Sequence, residues 1–286
     1  MNRGPAVQRT KTRVGSLTFG PDPVLMGVLN VTPDSFSDGG EFIGVEPAVA
    51  QAEKMFDEGA QVIDIGGEST RPGSDPVSPE EELRRVLPVI EGMVSARPDS
   101  IVSIDTYRSS VAEAALDAGA RAVNDVTALG DPRMAGLMAE RGCPIILMHM
   151  LGEPKSMQQH PRYEDDVVRE VRDFLAERAQ QAIRAGVELE NIILDPGIGF
   201  GKTPEHNLRL LKRLDSLVEL GFPVLVGVSR KSFLGKITGS EDPKSRLFGT
   251  VAANVLAYER GASLFRVHDV RANKEALAVA AAIRRT

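Results

Sequence analysis

Six tripeptides with a central glycine constrain this chain more than any other feature: Glu58-Gly59-Ala60, Ala118-Gly119-Ala120, Arg141-Gly142-Cys143, Ala185-Gly186-Val187, Leu220-Gly221-Phe222 and Arg260-Gly261-Ala262. Each closes an amphipathic stretch and opens onto a short apolar run. A glycine there takes the left-handed conformation that ends a helix without steric cost. The runs that follow, at 61–67, 122–126, 144–150, 191–197, 223–230 and 263–270, read as buried strands. With 23–30 and 100–106 they make eight.

Helix start signals stand between them. Ser78-Pro79-Glu80-Glu81 combines a capping serine, a first-turn proline and a glutamate three residues on. Behind it Leu83, Val86, Leu87 and Ile90 fall on one apolar stripe. Thr203-Pro204 and Asp242-Pro243 open further helical segments in the same way. Eight strand-then-helix units with strands apolar on both faces predict an α/β fold, a single-domain (β/α)8 TIM barrel. An open doubly wound sheet is the alternative, because periodicity does not report closure. Residues 12–20 alternate weakly and are expected to form a short hairpin over the barrel floor. Residues 1–12 are expected to be a flexible segment, and 13–286 one domain.

Composition narrows the partners. A net charge of −6 over 286 residues argues against a general nucleic-acid or anionic-membrane surface, so an anionic substrate needs a local basic cluster. Cys143 is the only cysteine, which rules out an intrachain disulfide. The basic start has no apolar core behind it, unlike a signal peptide, and no stretch has the length of a membrane span. A cytoplasmic protein without nucleic-acid or membrane partners is the expectation.

Every predicted strand delivers polar groups at its C-terminal end: Asn30, Asp64, Asp105, Asn124 with Asp125, His149, Asp195, Ser229 to Lys231, and Arg266 with His268. One or two of these could merely cap their own backbone. For all eight that account is poor, since buried polar side chains cost free energy unless paired. In a barrel these ends form one mouth, where the chemistry sits. Asp64, Asp105, Asp195 and Asn124 suit a flat heterocycle with several N–H groups, such as an amino-pyrimidinone edge. Asp64 is the member best explained as structural. Arg71, Lys231, Arg266 and His268, with Asn30 and Thr70, suit a phosphate or diphosphate. The glycine-rich 196–202 lacks either nucleotide-binding spacing, and instead lets backbone and Phe200 approach a flat ring. No serine sits in a nucleophile elbow, and the histidines lack metal-ligand spacing.

Seven stretches then carry a resemblance: MGVLNVTPDSFSDGG from 26, DIGGESTRPG from 64, SIDT from 103, VNDV from 123, LDPGIGFGK from 194, GVSRKSF from 227 and FRVHDV from 265. Together, and in this order, they resemble the dihydropteroate synthase family of pterin-binding enzymes. The resemblance implies condensation of 6-hydroxymethyl-7,8-dihydropterin diphosphate with p-aminobenzoate, releasing diphosphate. It implies that Asp105, Asn124, Asp195 and Lys231 hold the pterin. Asn30, Thr70, Arg266 and His268 would hold the diphosphate, with Mg2+ bound beside Asn30. Phe36, Arg71, Pro72, Phe200 and Ser232 would surround the aminobenzoate. It further implies that 31–40 is a mobile lid, in which Phe36 covers the aromatic substrate and Asp38 faces developing positive charge. Asp38, Lys231, Arg266 and His268 are thus the catalytic candidates. A homodimer is implied too; the Ala- and Val-rich last helices offer it an apolar face, or pack that face on the barrel. A methyltransferase-type pterin domain and an inactive pterin-binding paralogue remain open from sequence. No role is derived for 151–163.

Overall fold

The computed structural model describes residues 13–14, 17–18, 22–32, 44–69, 74–152 and 155–286. Eight parallel strands form one sheet: β1 (Val24–Asn30), β2 (Val62–Gly66), β3 (Val102–Asp105), β4 (Ala122–Asp125), β5 (Ile145–Met148), β6 (Ile192–Asp195), β7 (Leu225–Val226) and β8 (Leu264–Val267). They run in the order β6-β5-β4-β3-β2-β1-β8-β7. A parallel bridge between Leu194 and Val224, with the Leu194 N–H on the Pro223 carbonyl at 2.9 Å, joins the two ends. The sheet is therefore a barrel, and the open alternative falls away.

Helices alternate with the strands: α1 (Val45–Glu58), α2 (Pro79–Ala96), α3 (Ser109–Asp117), α4 (Met134–Arg141), α5 (Val167–Arg184), α6 (Pro204–Lys212), the short α7 (Asp215–Val218), α8 (Ser232–Thr238), α9 (Leu247–Glu259) and α10 (Val270–Arg285). All six punctuating glycines have positive φ, between 60° and 110°. The repeat in the sequence is thus a repeated helix-to-strand turn.

The strand period of two places the site. Val24, Met26, Val62, Ile101, Ala122, Ile146, Ile193, Leu225 and Leu264 form an apolar cluster of their own, separate from the larger one between strands and helices. Two residues further along the same faces stand Asp64, Ser103, Asn124, Asp195 and Arg266, with Asp105 two beyond Ser103. The barrel is therefore plugged with hydrocarbon at its floor and lined with charge at its mouth. Among the described residues no helix is long and apolar enough to cross a membrane.

Several expectations change. Residues 223–230 do not all extend: strand pairing stops at Val226, the Lys231 N–H returns to the Val228 carbonyl at 3.2 Å, and Arg230 turns left-handed at φ 59°. On α2 the buried line is Glu82, Val86, Val89, Ile90 and Met93, leaving Leu83 and Leu87 half-buried. An ion pair with Arg108 draws Glu82 inward and rotates the stripe by one residue. Ser78 does cap α2, accepting from the Glu81 N–H at 3.2 Å. The Glu81 carboxylate, however, pairs with Arg84 and Arg85 rather than closing a capping box. The reciprocal box occurs on α6, where Thr203 and His206 cap each other. The N-terminal hairpin is present, pairing Arg13 with Thr18 and Val14 with Leu17. It lies against the Leu189–Asn191 turn that precedes β6, on the floor side. The flexible segment expected at 1–12 lies outside the described residues.

Asp125 shows how a mouth loop is fixed. Its carboxylate accepts from the Thr127 N–H at 2.8 Å, the Thr127 hydroxyl at 2.7 Å and the Leu129 N–H at 2.7 Å. This holds Ala128 and Leu129 at φ 50° and 70°. Asp125→Ala would orphan those donors while keeping the strained turn. We expect a loss of about 2–3 kcal/mol in urea unfolding. A change below about 0.5 kcal/mol would mean that the turn holds without the carboxylate.

Candidate active site

One cation spans the mouth. The Arg266 guanidinium, on β8, donates from Nε to Asp64 Oδ2 on β2 at 2.6 Å and from Nη2 to Asp105 Oδ2 on β3 at 2.7 Å. Asn124 on β4 adds its amide to the same Asp64 oxygen at 2.9 Å. Four strands are thereby tied through side chains that alternation points inward. Asp64 is fully buried and takes two donors on one oxygen, the structural part expected for it. Arg266 keeps Nη1 free of partners among the described residues.

Acidic groups crowd the mouth. Asp64, Asp105 and Asp195 are all buried, and Arg266 lies between the first two. Burial pushes the Asp105 carboxyl up to about 7, against the pull of Arg266 and with repulsion from Asp64. Burial raises Asp195 as well, opposed by the Gly197 N–H that donates to its Oδ1 at 2.7 Å. Two buried oxygens, Asp64 Oδ1 and Asn124 Oδ1, have no hydrogen-bond partner among the described residues. A cup rich in unsatisfied acceptors is matched by a ligand rich in N–H donors.

Cations line one side. Lys231, just before α8, bonds the Ile198 carbonyl and lies over the Phe200 ring at 4.1 Å. Burial pushes its ammonium down to about 7, partly opposed by Asp195. His268 sits one residue past β8, and its ring Nδ1 and backbone N–H both meet the Ser229 hydroxyl, at 2.9 and 3.1 Å. Ser232 is exposed at the start of α8. Beside it and Gly199 opens a cavity of about 390 Å³ that reaches Gln158, Arg162 and Lys236. Asn30 ends β1, half-buried. Phe36, Asp38, Thr70, Arg71 and Pro72 lie outside the described residues.

Sequence reasoning missed the support beneath loop two, the stretch after β2 described at 67–69 and 74–78. Arg108 donates to Glu68 Oε2 at 2.7 Å, to Glu82, to the Val77 carbonyl at 2.9 Å and to the Tyr107 hydroxyl at 2.6 Å. Arg85 holds the Gly67 carbonyl at 2.8 Å. Two glutamates and an arginine far apart in the chain gave no periodic signal; only the position of Arg108 just beyond a strand end marks it. His149 and Lys202 were missed as a pair: both are buried, with Lys202 Nζ 2.9 Å from His149 Nδ1. Burial and the neighbouring lysine hold the imidazole neutral, down to about 2.

With this geometry in view, the relatives are informative. Residues 26–268 match the family model described as pterin binding enzyme. The chain belongs to this family. It is 48% identical over 273 residues to the dihydropteroate synthase of a Synechocystis species, covering 94% of each chain. It is 50% identical over 260 residues to a probable bifunctional folylpolyglutamate synthase/dihydropteroate synthase of Haloferax volcanii, spanning 91% of this chain but only 30% of that one. The solved Xanthomonas albilineans dihydropteroate synthase with 4-aminobenzoic acid superposes with a TM-score of 0.90 at 46% identity, over 97% of this chain and 99% of that one. The same enzyme with 7,8-dihydropteroate gives 0.87 at 44%, over 96% and 99%.

The Arg108 hub yields a pH-dependent expectation. Burial raises the Glu82 carboxyl, while Arg108 and Thr106 oppose that shift. Arg108→Leu removes the cation, so Glu82 binds a proton in the folded state over a wider range than in the unfolded chain. Folded-state protonation of this kind loses stability as pH rises above the unfolded carboxylate pKa. We expect a cost of about 3 kcal/mol at pH 8 and a smaller one at pH 5, with Glu82→Gln recovering part of it. A cost independent of pH would remove Glu82 from the explanation.

Proposed function

We infer that this chain performs the dihydropteroate synthase reaction in folate biosynthesis, joining 6-hydroxymethyl-7,8-dihydropterin diphosphate to p-aminobenzoate with loss of diphosphate. The observation that carries the residue assignments is the acceptor-rich cup of Asp105, Asn124 and Asp195 beside Lys231. Its carboxylates suit the paired N–H donors of the pterin's amino-pyrimidinone edge. Arg266, whose Nη1 has no partner among the described residues, suits the diphosphate together with His268, Asn30 and Thr70. Phe200, Ser232, Arg71, Pro72 and Phe36 suit the aminobenzoate ring and carboxylate.

Chemistry follows from the acidic cup. The bond between the pterin methylene and the bridging oxygen breaks with its electron pair on diphosphate, which Arg266 and His268 help to neutralise. The remaining cation is spread over the pterin, and the excess carboxylates of the cup, together with Asp38, stabilise it. The aniline nitrogen is neutral near pH 7, so its lone pair closes the new C–N bond and its proton then leaves. Positioning matters more here than a single general base.

The residues fit a magnesium ion in a limited way. Among the described residues no cluster of three or more His, Cys, Asp or Glu could hold a metal. Asn30 presents one amide oxygen at a strand end, so diphosphate oxygens and water would complete an oxygen shell. Bound there, Mg2+ would supply charge neutralisation for the leaving group.

A homodimer and a cytoplasmic location are part of this reading. Phe248 and Leu256 on α9 and Val279 and Ile283 on α10 are 85%, 63%, 61% and 67% exposed, and their i, i+4 and i, i+8 spacing puts each helix's pair on one face. Such an apolar face favours a partner of the same kind. Leu256→Asp should shift the mass in light scattering from dimer to monomer; an unchanged monomer mass in the parent protein would dispose of the dimer.

The activity is tested by coupled detection of diphosphate released from the two substrates. Asp195→Asn should weaken pterin affinity about 100-fold or more in calorimetry, as two charge-assisted hydrogen bonds are lost. Unaltered affinity would remove Asp195 from the pterin site. EDTA should abolish diphosphate release and added Mg2+ restore it, whereas full activity in EDTA would eliminate the metal.

A further inference from the structure

The glycine-rich loop after β6 is held in an unusual manner. Four consecutive carbonyls each accept from a different side chain: Ile198 from Lys231 Nζ, Gly199 from Gln158 Nε2, Phe200 from Lys202 Nζ at 3.0 Å, and Gly201 from the Tyr163 hydroxyl at 3.0 Å. Side chains also hold N–H groups of the loop, Gly197 by Asp195 and Gly199 by Asn207, both at 2.7 Å. Gly197 and Gly201 have positive φ and press against the chain beyond β5. A Cβ on Gly197 would come within 1.9 Å of the His149 carbonyl, and one on Gly201 within 2.3 Å of the Leu151 carbonyl. A loop this short with so many external fastenings has one conformation.

Two of these fastenings, Gln158 and Tyr163, come from 151–163, the segment to which sequence reasoning gave no role. Met157 is buried and anchors it. The Tyr163 ring meets His206 edge-on at 4.9 Å, and Lys155 reaches Asp75 of loop two at 2.7 Å. Lys202 completes the connection by donating to the His149 carbonyl at 3.3 Å. What all these contacts orient is the peptide on either side of Phe200, and hence its ring.

We propose that 155–163 is a positioning element for the aromatic amine substrate, and that Gln158, Tyr163 and Lys202 are positioning residues which fix the Phe200 ring by clamping the carbonyls of 199–201. This rests on Phe200 lying against the aminobenzoate. Gln158 and Tyr163 hold the carbonyls of Gly199 and Gly201 on either side of Phe200, whereas the pterin candidates Asp195 and Lys231 hold Gly197 and Ile198, so the effect falls mainly on the aromatic amine.

The test is steady-state kinetics of the full chain with each substrate varied in turn. Tyr163→Phe deletes one hydroxyl and Gln158→Leu one amide; neither side chain touches substrate in this account. Each should raise KM for p-aminobenzoate about three- to tenfold, the worth of one hydrogen bond, with KM for the pterin diphosphate within about twofold. Lys202→Met should do the same more strongly. Phe200→Ala serves as the reference. If it leaves the aminobenzoate KM unchanged, the placement of Phe200 fails and the proposal with it. If Phe200→Ala raises that KM while Tyr163→Phe and Gln158→Leu match the parent, the clamp is overturned and the placement stands. Equal rises for both substrates, or lowered thermal stability with both KM values kept, would reduce the segment to a structural part and overturn the proposal too.

Discussion

The structure depends on Arg266. Its guanidinium lies among largely buried acidic groups that would otherwise repel one another, and it connects β8 to β2 and β3 across the barrel. Removing one partner of a buried pair leaves an uncompensated charge, which costs far more than the pair contributes when intact. That asymmetry explains how a (β/α)8 barrel tolerates aspartates at its mouth above an apolar plug. Arg266, with Lys231 acting on Asp195, stabilises the mouth enough to fold and leaves acceptor oxygens for a ligand.

The remaining charge is functional. Asp105 and Asp195 are raised by burial, Lys231 is lowered by it, and two acceptor oxygens have no partner among the described residues. Each is a cost to the free protein: ligand N–H donors relieve the acceptors, and a ligand acceptor would relieve Lys231. Around this cup the loops are held by two separate supports. Arg108 organises loop two from below, and the segment beyond β5 organises the glycine loop beyond β6.

Much of this was legible in the sequence. The glycine period located the helix-to-strand turns, and alternation along the strands put Asp64, Asn124, Asp195 and Arg266 on inward faces. The contacts between them were not legible: Arg266 meets Asp64 from 202 residues away and Asp105 from 161. Local patterns do not encode such pairings. The same holds for Glu82, whose inward turn follows from Arg108, and for Lys202, whose side chain is buried against His149. The seventh strand read too long because Val228 and Ser229 look extended, whereas the left-handed Arg230 turns the chain away.

A double-mutant cycle on Asp64 and Arg266 tests the central claim most directly. Asp64→Asn and Arg266→Met should each destabilise the protein in urea unfolding at pH 7. The double variant should lose less than the sum of the two, by a coupling of about 2 kcal/mol. Losses that add to within about 0.5 kcal/mol would show that Arg266 does not neutralise the mouth, and the account of the barrel's charge would fail.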